Sequence, residues 1–325
     1  MVWYNHGLML DYVIVGAGPA GLACGIEAAK KGVDYLIVDK GRVVNSIYRF
    51  PSDMTFFSTP ELLEIGGMAF VTDSFRPTRS QVLKYYMSAV RHYDLKVAVY
   101  REVTEMDRKE YGFDVKIVSP AGKEQVLKTG KVILATGYYD NPNMLGIEGE
   151  ELEKVSHYYG EAHPYRDMDV AVIGGKNSSV ESSLALCRAG ARVTLIHRGE
   201  KLSDSVKQWV RPDIEKKFEE REITALFNTV VSEVGPDSIT VVSNGSERKI
   251  KNDFVFALTG YHPDVGFLKR CGVKFDPETL EPEHDAANLE TNVPGLHLAG
   301  SIAAGMNCNK IFIENSRHHG RMVIV

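Results

Sequence analysis

A glycine-rich turn near the N-terminus has the residue types and spacing that bind the phosphates of a dinucleotide. The apolar run 11–15 leads into Gly16-Ala17-Gly18-Pro19-Ala20-Gly21, and a helical segment follows. Gly16 permits the tight turn, Gly18 lets the backbone approach a pyrophosphate, and Gly21 allows the helix to pack on the strand. A second strand ends in Asp39, where a carboxylate can accept hydrogen bonds from ribose hydroxyls. We therefore predict a dinucleotide site at this turn.

The same pattern recurs in the middle of the chain. The run 170–173 leads into Gly174-Gly175-Lys176-Asn177-Ser178-Ser179, then into a helix and a second strand that ends before His197-Arg198. A site for NAD usually has an acid at that strand end, whereas cations suit the 2′-phosphate of NADPH. We predict NADPH rather than NADH. The residues predicted to hold it are Arg198 as the main anchor, His197 and Lys176 as helpers, and Gly174, Asn177 and Ser178 at the turn.

The cysteines and histidines form no recognisable metal or dithiol motif. The four cysteines, at positions 24, 187, 271 and 308, stand singly, and no Cys-x-x-Cys pair occurs. A thiol–disulfide relay needs one thiolate to attack and a second thiol to resolve the mixed disulfide. The sequence therefore excludes thioredoxin reduction by the usual dithiol relay. The ten histidines include no His-Glu-x-x-His pair, and we predict no bound metal.

Composition and length favour a two-domain enzyme over a nucleic-acid-binding or membrane protein. The 325 residues are 44% hydrophobic and 25% charged, with a formal net charge of −5. No basic stretch interleaved with aromatic residues indicates a nucleic-acid partner, and no apolar run approaches the roughly 18 residues that a membrane span needs. We predict a cytoplasmic α/β protein with two Rossmann-like domains. Residues 1–160 plus 260–325 form a discontinuous domain, and residues 161–259 form a second domain inserted in it.

The order and spacing of these elements resemble the two-dinucleotide-binding flavoproteins of the thioredoxin-reductase type over essentially the whole chain. Three segments, Thr55–Gly66, Gly174–Ser178 and Asn309–Asn315, look more specifically like the bacillithiol-disulfide-reductase (YpdA-type) family. The resemblance implies an NADPH-dependent, FAD-mediated reduction of the disulfide of a low-molecular-weight thiol, in a cytosolic and homo-oligomeric enzyme. The residues implied for FAD are Gly16, Gly18, Pro19, Ala20, Gly21, Asp39, Lys40, Ser58, Thr59, Val103, Thr136, Gly137, Gly300 and Ser301.

The residue that meets the electron acceptor is less clearly marked. Family members discussed as disulfide reductases have a cysteine in the first glycine turn, whereas this sequence has Ala20, which cannot form a mixed disulfide. Cys24 lies one helical turn further on, on the same helix face as Ala20, and is one candidate for catalysis. The other candidate is Lys310, which recurs with Glu314 and His318 at helical spacing. We expect these three side chains to line the flavin site.

Two other classes of function remain open on the residues alone. Ala135-Thr136-Gly137, together with Tyr158-Tyr159-Gly160 ahead of His163, suggests a flavin monooxygenase, although the glycine-to-histidine gap is one residue shorter than in the Phe-x-Gly-x-x-x-His motif. A flavin reductase that delivers electrons to a quinone or a protein acceptor needs no nucleophile, and neither does a redox-sensing flavoprotein without enzymatic activity. The missing cysteine at position 20 favours this last class.

Overall fold

The chain divides into two compact units, which are described separately. The computed structural model describes residues 9–307 and 310–325. The first unit comprises the described residues up to Arg49, Asp53–Asn141, and those from Tyr261 onward; the second comprises Phe50–Ser52 and Pro142–Gly260. The inserted segment was predicted from residue 161, whereas residues 142–160 lie in the second unit, because a strand within them pairs with its central sheet. The assignment of folding domains stays a prediction.

The first unit contains a sheet that is parallel on one side and antiparallel on the other. Its strands are β1 (Leu10–Val15), β2 (Tyr35–Asp39), β3 (Val97–Val99), β4 (Glu102–Lys109), β5 (Gly112–Val118), β6 (Glu124–Leu134) and β15 (Leu296–Leu298). The order is β3-β2-β1-β6-β5-β4, and β15 pairs with the last residues of β6. The pairs among β3, β2, β1, β6 and β15 are parallel, so the carboxyl ends of these strands meet at one edge. This edge is where α/β sheets bind ligands.

The longest helices of the first unit have recognisable caps. They are α1 (Pro19–Lys31), α2 (Asn45–Tyr48), α3 (Pro60–Leu63), α4 (Arg79–His92), α7 (Val265–Arg270), α8 (Ile313–Ser316) and α9 (His319–Val323), with a 3₁₀ helix at Gly300–Ala304. Proline occupies the first turn of α1, and Gly32, with φ of +68°, ends it by donating to the carbonyls of the last turn. Thr78 and Gln81 form a capping box at the start of α4.

The second unit combines a parallel sheet with a small antiparallel sheet. The parallel sheet contains β7 (Val155–Ser156), β8 (Asp169–Ile173), β9 (Arg192–Ile196), β10 (Ile223–Leu226) and β14 (Phe254–Ala257), in the order β10-β9-β8-β14-β7. The antiparallel sheet contains β11 (Thr229–Val234), β12 (Ser238–Ser243) and β13 (Ser246–Lys251). The helices are α5 (Asn177–Arg188) and α6 (Arg211–Glu219), with a 3₁₀ helix at His163–Tyr165.

Continuous apolar strands form the core of each unit, as expected for parallel sheets buried on both faces. Val13 and Ile14 of β1 are fully buried in the first unit, and Val172 of β8 and Leu195 of β9 are fully buried in the second. The predicted α/β class with two Rossmann-like units is confirmed. Within residues 9–307 and 310–325, no helix is both long and apolar enough to cross a bilayer.

Candidate functional site: two dinucleotide-binding turns

The first glycine turn is closed on its protein side and open at its tip. Gly16 has φ of +113°, and a Cβ there would lie 2.3 Å from the carbonyl oxygen of Ala135, just after β6. A Cβ on Gly21 would lie 1.9 Å from the carbonyl oxygen of Gly16. A Cβ on Gly18, by contrast, would meet no atom within 4 Å. Pro19 starts α1 immediately behind this tip, so the helix N-terminus faces the open space that a pyrophosphate would occupy.

Asp39 is held at the carboxyl end of β2 by two backbone amides. Its Oδ2 accepts from the Ala17 N–H at 2.7 Å, and its Oδ1 accepts from the Gly41 N–H at 2.7 Å. Burial raises the pKa of Asp39, while these two amide hydrogen bonds act in the opposite direction. Each carboxylate oxygen retains a further lone pair. The acid is therefore oriented beside the glycine turn, with capacity to accept ribose hydroxyls.

The ends of β6 and β15 converge on the same turn. A Cβ on Gly300, after β15, would lie 2.8 Å from the Cβ of Ala20, and a Cβ on Gly137, after β6, would lie 3.7 Å from the Ser301 hydroxyl. Gly300 and Gly137 both have positive φ, +80° and +68°. The buried hydroxyl of Thr136 has no hydrogen-bond partner in the structure. A buried hydroxyl without a partner, beside a cradle of small residues, fits a bound polar cofactor such as FAD.

Lys40 and Val103 lie further along the β2 edge of this site. Lys40 is exposed and pairs with Asp140 at 3.0 Å, and Arg49 contacts the same carboxylate at 2.9 Å. Val103 lies in β4 next to a β-bulge that separates it from Glu105. Lys40 therefore already has a protein partner, whereas Val103 offers backbone groups at an irregular point of the ladder.

The early loop and the C-terminal segment contact each other directly. The Ser58 hydroxyl donates to Glu314 Oε1, across 256 positions of sequence. Thr59 caps α3, and its hydroxyl bonds Glu61, which lowers the pKa of that exposed carboxyl. Lys310 is exposed, and its backbone N–H donates to the Asn307 carbonyl at 2.9 Å. Of the residues predicted to line the flavin site, Ser58 and Glu314 are therefore in contact, whereas the Lys310 side chain extends to solvent.

In the second glycine turn a histidine ring occupies the space that glycine leaves. A Cβ on Gly175 would lie 2.4–2.6 Å from the His197 ring, and a Cβ on Gly199 would lie 2.9 Å from His197 Nε2. Gly174 has φ of +147°, and its Cβ would lie 2.6 Å from the Leu258 carbonyl oxygen. Burial lowers the pKa of His197, and neighbouring Arg198 acts in the same direction. The His197 ring therefore packs between two glycines, where burial disfavours its charged form.

The other predicted NADPH residues divide into exposed cations and a loop anchor. Lys176, Ser178 and Arg198 are exposed. Asn177 instead holds the loop before α6, because its Oδ1 accepts from the Lys207 N–H at 3.0 Å and its Nδ2 donates to the Ser205 carbonyl at 3.2 Å. The turn therefore presents two cations and a hydroxyl to solvent, while Asn177 shapes the loop beside them.

Cys24 lies in the core of the first unit. Its side chain is fully buried in α1, and burial raises its pKa to about 12. A nucleophilic cysteine requires an accessible thiolate, and neither condition is met at this position. Cys308 and Asn309, which the sequence analysis also considered, lie outside the described residues.

Neither a metal cluster nor a monooxygenase site stands out among the residues described. No group of three or more His, Cys, Asp or Glu side chains within residues 9–307 and 310–325 is arranged to hold a metal ion. Tyr159, from the monooxygenase-like segment, is buried and packs edge-on against Phe256 at 5.4 Å between ring centroids. His163 begins a 3₁₀ helix. Tyr159 therefore has a packing role in the core of the second unit.

Two glycine turns at the carboxyl edges of two parallel sheets define a protein that holds two dinucleotides. The family profile described as pyridine nucleotide-disulphide oxidoreductase matches residues 13–300, and the chain belongs to this family. The bacilliredoxin reductase Bdr of Bacillus subtilis (strain 168) is 45% identical over 309 residues, which cover 95% of this chain and 94% of that protein.

Two solved structures are similar along nearly the whole chain. The bacillithiol disulfide reductase Bdr (YpdA) from Bacillus cereus is 44% identical with a TM-score of 0.95, covering 97% of this chain and 98% of that one. The bacillithiol disulfide reductase Bdr (YpdA) from Staphylococcus aureus is 40% identical with a TM-score of 0.92, covering 97% of each. The predicted family resemblance is confirmed, and so is the predicted enzyme class, an FAD-dependent oxidoreductase with FAD and NADPH as cofactors.

Sequence reasoning missed residues whose partners are distant in the chain. Asp140 pairs with both Lys40 and Arg49, and Arg317 donates to the backbone carbonyls of the α3 region, so that α8 is tied to the early loop. His319 was assigned no role, yet it accepts a hydrogen bond from the Gly300 backbone. No local pattern marks any of these contacts.

Proposed function

We propose that this enzyme uses NADPH to reduce the disulfide of a low-molecular-weight thiol of the bacillithiol type. The observation that carries the proposal is the similarity to two structures named bacillithiol disulfide reductase, which extends over 97% of the chain and includes both glycine turns. The reaction balances as NADPH plus H⁺ plus one disulfide, giving NADP⁺ and two thiols. The nicotinamide gives up two electrons, and the disulfide takes them up as it is cleaved to two thiols.

The residues of the two turns bind and orient the reactants in this proposal. Gly16 and Gly21 allow the tight turn and its close packing, Gly18 leaves room for the FAD pyrophosphate, and Asp39 accepts the ribose hydroxyls. Arg198, at the second turn, neutralises the 2′-phosphate of NADPH. FAD, when bound, supplies the two-electron chemistry between the nicotinamide and the acceptor. The protein's part is to hold both dinucleotides and to admit the disulfide.

Cys24 takes no part in the proposed reaction, because its thiol is buried and its pKa is raised to about 12. Lys310 is exposed on the segment that carries Glu314, and we propose it as the cation that meets the acceptor. Lys310→Ala should slow turnover with the disulfide more than it slows flavin reduction by NADPH. Lys84→Ala, at an exposed lysine of α4, is the matched control. Equal slowing of both half-reactions by Lys310→Ala would remove this assignment.

The test of the proposed function is anaerobic stopped-flow kinetics on the FAD-loaded protein. The enzyme is reduced with NADPH and then mixed separately with bacillithiol disulfide, a quinone and oxygen. Rapid reoxidation by the disulfide supports the proposal, and reoxidation by the quinone alone makes it a quinone reductase. Rapid reoxidation by oxygen with incorporation of oxygen into a substrate would instead place it with the flavin monooxygenases.

A protein acceptor is the second candidate, because the B. subtilis relative is named a bacilliredoxin reductase. The first unit also exposes Val71 and Phe75, at 90% and 77% of their surface, beside Glu61 and Asp73 in a groove of about 580 Å³. Addition of a bacilliredoxin to the same assay distinguishes the candidates. If disulfide reduction occurs only when the bacilliredoxin is present, the direct acceptor is the protein.

We propose further that the enzyme is a cytoplasmic homo-oligomer. Cys24, Cys187 and Cys271 are free, as is usual for proteins of a reducing compartment. The exposed apolar side chains of Val71 and Phe75 support a contact between copies. Light scattering coupled to size exclusion, on the wild type and on a Val71→Ser/Phe75→Ser variant, tests the assembly, and cell fractionation tests the location.

A further inference from the structure

The backbone that follows β15 is tied to the C-terminal helix by one histidine. The N–H of Gly300 donates to Nδ1 of His319 at 3.1 Å. Gly300 is buried and His319 is half-buried, so this hydrogen bond is partly shielded from solvent. His319 is the first residue of α9. The hydrogen bond therefore joins a strand end at the first glycine turn to a short helix nearly 20 residues later in the chain.

Gly300 occupies a crowded and conformationally restricted position. Its φ is +80°, a region that favours glycine. A Cβ on this residue would lie 2.8 Å from the Cβ of Ala20, in the first turn of α1. The next residue, Ser301, directs its hydroxyl toward Gly137. The orientation of the Gly300 peptide group thus sets how closely the turn after β15 approaches the first glycine turn and the end of β6.

The helix that carries His319 is itself fixed against α1. A Cβ on Gly320 would lie 2.7 Å from the carbonyl oxygen of Ala23 and 3.0 Å from the Cα of Cys24. Close backbone contact leaves α9 little freedom to slide. His319 is therefore held from both sides, by α1 through Gly320 and by the strand end through Gly300.

The hydrogen bond defines the protonation state of His319. Because Nδ1 accepts, the ring is neutral and carries its proton on Nε2. Burial, followed by the nearby His284 and His318, lowers the pKa of His319 to about 4. Protonation would place an N–H against the N–H of Gly300. The titratable groups that act on the ring are His284, in the loop before β15, and His318, on its own segment. On the facing α1, Glu27 pairs with Arg321 of α9 at 3.8 Å.

We propose that His319 is a positioning residue for FAD, which fixes the peptide of Gly300 and thereby the fit of Ser301 and the glycine turn to the cofactor. It acts through Gly300 rather than by touching a reacting atom. The inference depends on FAD being the cofactor of the first unit and not on the identity of the electron acceptor. Its failure is therefore distinguishable from failure of the proposed disulfide reduction.

The test compares FAD affinity among variants of the holoenzyme. The FAD dissociation constant is measured from the fluorescence of released flavin on dilution, for His319→Leu, His319→Asn and the control His92→Leu. An unsatisfied buried donor should raise the constant for His319→Leu by about tenfold. Asparagine can accept from the same N–H through Oδ1, so His319→Asn should restore affinity. His92 is exposed at the end of α4, and its replacement should leave the constant unchanged.

A pH series separates positioning from general stability. The neutral form is favoured in the folded protein, so the contribution of His319 is present above its unfolded pKa and is lost as the pH falls toward 4. Wild-type protein should release FAD in this range more steeply than His319→Asn, which cannot titrate. Wild-type affinity in His319→Leu, or no rescue by asparagine, would overturn the proposal. If His319→Leu does not fold, identical acid release of FAD by wild type and His319→Asn would overturn it.

Discussion

Arg198→Ala should weaken NADPH binding and leave NADH binding almost unchanged. Arg198 is exposed directly after β9, and it makes no hydrogen bond or ion pair with any residue in the described part of the chain. Its guanidinium is therefore available for a 2′-phosphate. A hydrogen bond to a charged group contributes about 1.5–3 kcal/mol, and about 1.4 kcal/mol corresponds to a factor of ten. The NADPH concentration that half-saturates flavin reduction should rise by about 10- to 100-fold.

Anaerobic stopped-flow reduction of the bound flavin measures this directly, because it isolates the step that involves the nicotinamide. Lys201→Ala is the matched control, since Lys201 lies on the same loop but pairs with Asp204 at 3.0 Å. The control should leave the preference for NADPH intact. An equal loss with NADH and NADPH in Arg198→Ala would refute the reasoning, because NADH lacks the 2′-phosphate that the side chain is expected to bind.

Three further predictions concern the first glycine turn, Cys24 and Asp169. Gly21→Ala should prevent folding of the first unit, because the added Cβ collides with the backbone of Gly16. Gly18→Ala should lower only the affinity for FAD, because its Cβ meets no protein atom. Circular dichroism reports the loss of folding, and flavin titration reports the loss of affinity. Cys24→Ala should leave turnover unchanged, and iodoacetamide should fail to label Cys24 in native protein. The hydrogen bond from Arg192 lowers the pKa of Asp169 to about 2, so the stabilisation that the Asp169 carboxylate contributes is lost as the pH falls from 3.8 toward 2. In Asp169→Asn, the midpoint of thermal unfolding should therefore depend less on pH over that range.

The glycine turns could be predicted because their constraints are local. A positive φ at Gly16 and the contact between Gly21 and Gly16 involve residues within one turn, so spacing alone identifies them. The acid at the end of the next strand follows from the same βαβ unit. Parallel pairing of apolar strands then brings Thr136 and Gly137 to the same edge. The approximate position of the FAD site could therefore be predicted from the sequence.

The roles of individual residues at the second turn could not be predicted in this way. His197 was assigned to NADPH, yet its ring fills the space beside Gly175. Asn177 was assigned to NADPH, yet its amide holds the loop at Ser205 and Lys207. Both contacts depend on where the loop after β9 folds back, and no spacing within the turn encodes that path. Motif positions indicate a site, but tertiary packing decides which of its side chains stay free.

The same distinction decides how Ala20 should be interpreted. Its side chain faces Gly300, where any larger group must share space with the buried turn that His319 orients. The neighbouring thiol, Cys24, is fully buried in α1, on a turn whose backbone approaches Gly320 of α9, and it has a raised pKa. A mixed disulfide in the first turn therefore has neither a sulfur at position 20 nor an accessible thiolate one turn later. Disulfide reduction by this enzyme thus requires electron transfer that does not pass through α1.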